Sequence, residues 1–174
     1  AVAMKDLLSN VLDDILANVP KEKIDERISL FKRNMHNLSY EVMANPIGVK
    51  GIGKYEVKDE ESSFSKYKKG APVHVKAAIN YNSLIDHWYE GKKYEKITNG
   101  SKIKWVYLKE NTFGFDSIAF KGHEDPKEIL ELIKNHIDHN KMYEQAMSKK
   151  LGMFYKAMKW GGVEDITTSM NRFF

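Results

Sequence analysis

The sequence predicts an α+β fold, mainly helical, with a small antiparallel sheet and a flexible C-terminal tail. Three observations carry that prediction. Apolar residues recur at helical spacing near both ends of the chain, as Met4, Leu7, Leu8, Val11, Leu12, Ile15 and Leu16 early and as Met142, Tyr143, Ala146, Met147, Phe154 and Met158 late. Two short runs, 102–108 and 117–120, have strand character and flank a loop around 111–114. The pair Gly161-Gly162 then separates the last helical run from a tail.

Taken in order, the first helix extends to about Val19, and Pro20 breaks it or opens a second helix at its first position. Ile24, Ile28, Phe31 and Met35 form the stripe of that second helix, so 2–38 reads as an antiparallel helical pair. Residues 40–44 have the pattern of a short strand, Asn45-Pro46 starts a turn, and Gly48, Gly51 and Gly53 follow in a loop. The polar stretch 58–65 reads as a mobile insertion. From Pro72 a helix runs to near Gly91 with Val73, Ala77, Tyr81, Leu84, Ile85 and Trp88 on its apolar face. Residues 126–136 form another helix, and 140–159 a single longer one. There is no internal repeat.

With 174 residues the chain fits one domain or two small lobes, and an apolar share of 42% suffices for a core. No run approaches the ~18 apolar residues of a membrane span. Asp6, Asp13 and Asp14 in the first helical stretch exclude a signal peptide. The lack of cysteine excludes a disulfide framework and a thiolate metal site, and suits a reducing cytoplasm. Ala1 in place of a starting methionine suggests a chain cut from something longer, although removal of a tag would look the same.

The net charge of +4 is modest, but its distribution is uneven. Between positions 66 and 109 ten lysines face only Asp86, Glu90 and Glu95, and between 141 and 160 five lysines face Glu144 alone. The first forty-five residues are slightly acidic. Such asymmetry points to a basic face directed at a polyanion, or to a solvated lysine-rich surface.

The densest basic run is Lys66-Tyr67-Lys68-Lys69-Gly70, just before the helix that opens with Pro72-Val73-His74-Val75-Lys76 and continues to Tyr81-Asn82. Lysines at a helix start reinforce the free N–H groups and positive dipole end that favour a phosphate there. Lys68 and Lys69 also fit an ordinary exposed loop. Lys50 and Lys54 belong to a glycine-rich loop, 48–55, which is neither a P-loop nor a helix-hairpin-helix, since no Gly-Lys-Ser/Thr ending and no apolar second helix follow. It suits a close approach to a phosphate and a plain turn equally. His136 and His139 could share a helix face, but further metal ligands have no obvious source. The pairs Asp13-Asp14 and Glu60-Glu61 lie on polar faces or loops with no apolar pocket to raise a carboxyl pKa. No Ser/His/Asp set is recognisable from spacing, so the sequence reads as lacking a catalytic centre.

In order and spacing, these segments resemble the C-terminal thumb of family B DNA polymerases of T-even-type bacteriophages. The similarity spans nearly the whole chain. It is sharper at Phe31, Leu38-Ser39-Tyr40 and Gly51-Ile52-Gly53-Lys54-Tyr55, and clearest at Pro72-Val73-His74-Val75-Lys76 with Tyr81-Asn82. It resumes at 102–108, 111–114, Ile118-Ala119 and 136–154.

The resemblance implies a thumb domain over 1–162, made of the helical pair 2–38, a basic DNA-facing region 46–109 and late helices 126–160. It implies that His74, Lys76, Tyr81, Asn82 and Lys149 contact product duplex, and Lys50, Lys54, Lys66, Lys68, Lys69 and Lys150 join them as candidates by charge and placement. Gln145 and Asp116 stand where the family has lysines. The tail, 163–174, looks like the peptide by which replicative polymerases bind a sliding clamp, with Met170, Phe173 and Phe174 as the apolar anchors and Thr167 in place of the usual glutamine.

Other implied partners are double-stranded DNA, the remaining palm, fingers and exonuclease, and no membrane. The implied setting is the cytoplasm of an infected bacterial host. No cofactor is expected in this chain, because magnesium ions belong to the absent palm, and the chain alone should be inactive. The preference for lysine over arginine suits a sliding, sequence-independent grip, and suits AT-rich codon usage equally. The competing readings are a separately encoded subunit of a split polymerase or accessory DNA-binding protein, a small metal-dependent enzyme using His136 and His139, and a protein-interaction domain.

Overall fold

A computed structural model describes residues 1–58, 61, 64 and 66–161. It is a mixed α+β structure, and helix accounts for 55% of it, so helices dominate as expected. Among the described residues no helix is long and apolar enough to cross a membrane. The chain divides into two compact units, one built from 1–43 with the segment from His139 onward, the other from 44–138.

In the first unit, α1 (Val2–Leu16) packs on α2 (Lys21–Asn34). Met4, Leu7 and Val11 of α1 and Ile24 and Ile28 of α2 are buried. Pro20 caps α2 in extended conformation, and Arg27 Nε reaches back to Asp14 Oδ2 at 2.6 Å. Leu12 and Leu16 are exposed, so the inward stripe of α1 is narrower than the sequence pattern. After a 3₁₀ turn (Met35–Asn37) comes α3 (Tyr40–Met43), where a strand was expected. The Ser39 carbonyl accepts the N–H groups of Val42 and Met43, closing one helical turn that buries Met43.

The predicted long terminal helix forms, with one irregular turn inside it. It consists of α7 (His139–Tyr143), a π-helical turn (Glu144–Ser148) and α8 (Lys149–Ala157). A π turn takes up an extra residue, which rotates everything beyond it relative to a straight α-helix. The buried positions therefore pass from Met142, Tyr143 and Met147 to Leu151 and Tyr155, while Met158 turns outward. Tyr155 donates its hydroxyl to Asp25 Oδ1 at 2.7 Å, joining α8 to α2.

The second unit contains an antiparallel sheet in the order β1 (Asn45–Gly48), β4 (Lys102–Tyr107), β5 (Ser117–Phe120). Asn45 pairs with Trp105, and Trp105 with Ala119. Asn45-Pro46 thus begins a strand and not a turn. β1 is an edge strand, where proline's missing donor is tolerated. The helix α4 (Ile52–Tyr55) forms within the glycine-rich loop, and β2 (Glu56–Val57) pairs antiparallel with β3 (Lys66–Tyr67).

The stretch expected to be a mobile insertion, 58–65, lies mostly outside the described residues. Its Phe64 ring packs against His87, Phe113 and Phe115 at 5.1–5.7 Å. Across β5 lies α5 (Val73–Tyr89), the centre of the unit. Val75 and every residue from Ala77 to Ile85 are buried, so α5 is enclosed all round instead of showing one apolar face. Each of Ile79, Leu84 and Ile85 is fully withdrawn from water, worth about 1.5–3 kcal/mol per side chain before entropy is subtracted. The last element, α6 (Lys127–His136), is capped by Pro126 and buries Ile129 and Ile133.

Candidate nucleic-acid interface

The basic run folds as one edge of the β2–β3 hairpin, seated beside the start of α5. Lys66 pairs with Val57 and Tyr67 with Glu56 in the ladder, and the Lys68 N–H donates to the Tyr55 carbonyl at 2.8 Å. The Tyr67 hydroxyl donates to Asn80 Oδ1, and Asn80 Nδ2 donates to the Ser117 carbonyl at 2.8 Å. A chain of hydrogen bonds thus fixes the hairpin to α5 and α5 to the sheet. Burial pushes the Tyr67 phenol above its ordinary pKa, the bond to Asn80 opposes this, and the Asp116 charge adds to the rise.

Several lysines stand around this support. Lys54 Nζ lies 5.1 Å from the Tyr55 ring centroid and Lys76 Nζ lies 5.8 Å from that of Tyr67. Contacts of this kind are worth about 0.5–1 kcal/mol at exposed sites, enough to orient an ammonium without neutralising it. Lys50, Lys54, Lys66, Lys68 and Lys69 are exposed, and Lys76 and His74 are half-buried. Among the described residues no ion pair occupies Lys54, Lys68, Lys69 or Lys76. Burial lowers the His74 pKa, so its imidazole is neutral at pH 7 and offers a hydrogen bond in place of a charge.

Two residues expected at the DNA surface belong to the core. Tyr81 is fully buried and donates its hydroxyl to Asp125 Oδ1 at 3.0 Å. Asn82 is buried as well and bonds the backbone of Ile97. Both are polar side chains on a helix enclosed by protein, and their bonds hold the unit together. Tyr67 and Asn80, by contrast, were not singled out in the sequence. The position of Tyr67 between Lys66 and Lys68 was the available signal for the first. Asn80, in an apolar run, offered none.

Lys149 and Lys150 are exposed at the start of α8, in the other unit. Met170, Phe173 and Phe174 lie outside the described residues. The two histidines considered for a metal do not share a helix. His136 ends α6, whereas His139 begins α7, where its Nε2 meets the Leu38 carbonyl at 3.1 Å and its ring lies 5.4 Å from His36. Among the described residues no group of three or more histidine or carboxylate side chains could hold a metal ion. No family model matches the chain, and no curated protein matches it.

Proposed function

We propose that this chain grips duplex DNA through phosphates, as the thumb of a phage-type family B replicative DNA polymerase. One observation carries the reading. Lys54, Lys68, Lys69 and Lys76, which have no ion-pair partner among the described residues, gather around a hairpin and helix start that are braced by the Tyr67–Asn80–Ser117 bonds. The motif resemblance around Pro72 to Lys76 supports the same reading.

A replicative thumb must accept any sequence, so its contacts belong on the phosphate backbone and not on base edges. Ammonium groups on flexible stems, carried by a rigid support, suit a backbone that slides. Lys149 and Lys150 supply further phosphate contacts in this reading. The tail tethers the enzyme to a ring-shaped clamp, raising effective concentration and so processivity. Nucleotidyl transfer falls to a palm and fingers outside this chain.

The test is a titration of a labelled hairpin duplex at several salt concentrations. Charge reversal at Lys54, Lys68 and Lys76 together should flatten the log–log salt slope by about 2.7, three contacts at about 0.9 each. The loss should be equal for random and defined sequences. A slope unchanged in that variant, or a loss confined to one sequence, would falsify the grip. Deleting 170–174 should abolish clamp binding and leave duplex binding intact.

A further inference from the structure

The opposite end of α5 leads into a second basic site that the duplex grip does not use. The helix stops where Glu90 and Gly91 take up left-handed conformation, with φ of 51° and 71°. A Cβ on Gly91 would come within 3.3 Å of Asp86 Oδ1, so glycine suits this turn on both counts. The loop that follows forms one wall of a groove of about 830 Å³ that also takes in Lys102 of β4 and the segment after β5. Lys92, Lys93, Lys96, Lys102, Lys121 and His123 line it, against Glu95 as the lining carboxylate.

Lys92 pairs with Glu90 at 3.2 Å and Lys96 with Asp86 at 2.6 Å. Among the described residues Lys93, Lys102 and Lys121 have no ion-pair partner. Their combined charge outweighs Glu95, so the groove is net cationic. Thr98 and Ser101 add hydroxyls 3.2 Å apart. The walls are fixed from behind. Asn82 holds Ile97 on one side, and Asp125 accepts the N–H groups of Lys121 and Gly122 at 2.9 and 2.8 Å on the other.

Ammonium and hydroxyl donors gathered in one groove favour phosphate. Tyr94 also lines the groove, and its ring is propped edge-on by Tyr89 at a centroid distance of 4.7 Å. A cationic groove with an aromatic ring is the arrangement that holds single strands, whose unpaired bases can stack. The groove is far larger than one phosphate, so it has room for a length of chain. We propose that it binds the backbone of a single nucleic-acid strand, with a base against Tyr94.

The probes are labelled oligo-dT and a hairpin duplex, followed by fluorescence anisotropy with the parent chain, K102E/K121E and Y94L. The expected result is that K102E/K121E weakens oligo-dT binding about tenfold or more and flattens its salt slope by about 1.4, two contacts at about 0.7 each. Y94L should weaken oligo-dT about fivefold and leave the duplex unaffected. Should K102E/K121E fail to fold, K102Q/K121Q serves in its place, with the same expected loss of slope.

Oligo-dT affinity within about twofold of the parent in these variants overturns the proposal. So does binding of tripolyphosphate by a parent chain that ignores oligo-dT, which would make the groove a site for free phosphates. The duplex arm keeps the two readings apart. Loss of oligo-dT binding with an intact duplex salt slope leaves the thumb reading standing, and the reverse result leaves this one standing.

Discussion

Asn82 clasps Ile97: its Nδ2 donates to the Ile97 carbonyl at 2.9 Å and its Oδ1 accepts the Ile97 N–H at 2.7 Å. A side-chain amide thereby supplies the pairing that a neighbouring strand would give to the 91–101 loop. Asn82→Ala leaves both backbone groups buried without these partners, at a cost of about 2–4 kcal/mol. Urea denaturation should show that loss, and oligo-dT binding should fall with it as the groove wall loosens. Wild-type stability in this variant would mean that the clasp is dispensable.

Tyr81→Phe separates structure from contact. The change removes the hydroxyl bonded to Asp125 and should lower stability by about 1.5–3 kcal/mol, as expected for a hydrogen bond to a charged group. Duplex affinity, measured where the variant remains folded, should match the parent. Weakened DNA binding at unchanged stability would return Tyr81 to the contact set.

Asp116 is exposed and its charge is felt at Tyr67, the support on which Lys76 rests. Removing a repelling carboxylate and adding an ammonium should strengthen the duplex grip. Asp116→Lys is expected to steepen the salt slope by about 0.9, one added phosphate contact. An unchanged slope would place position 116 outside the footprint.

His74 makes stability depend on pH. Burial lowers its folded pKa below the ordinary 6.5. Below about 6.5 the unfolded chain takes up a proton that the folded chain refuses, so this contribution is present above that pH and lost as pH falls. Urea midpoints should decline more between pH 7.5 and pH 5 for the parent than for His74→Gln. Equal declines would show that His74 is as solvated in the fold as out of it.

Much of the architecture was legible because it is local. Pro20, Pro72 and Pro126 mark helix starts, and the strand runs at 102–108 and 117–120 fell where the sheet lies. The errors around position 45 come from dependence on a distant partner. Residues 40–44 and Asn45-Pro46 exchanged roles because β1 needs β4, some sixty positions away, to become a strand. The π turn at 144–148 was not legible for a different reason, since a single such turn leaves no periodic signature in so short a segment.

The candidate site divides along the same line. The lysines at 66–76 could be read as a cluster because they are neighbours in the chain. The groove could not, since Lys102 and Lys121 join Lys92 and Lys93 only through the sheet. Nor could Tyr81 and Asn82 be told from surface residues, because a polar side chain on a helix is equally at home in water and in a fully bonded interior.

By itself the chain determined its charge asymmetry, its helical content and the helix starts at Pro20, Pro72 and Pro126, all properties of short windows in which each residue acts on near neighbours. Tertiary structure alone decided which polar groups turn inward and which ammonium groups share a groove. Burial and long-range pairing depend on what the rest of the chain brings alongside, and a single side chain carries no record of that.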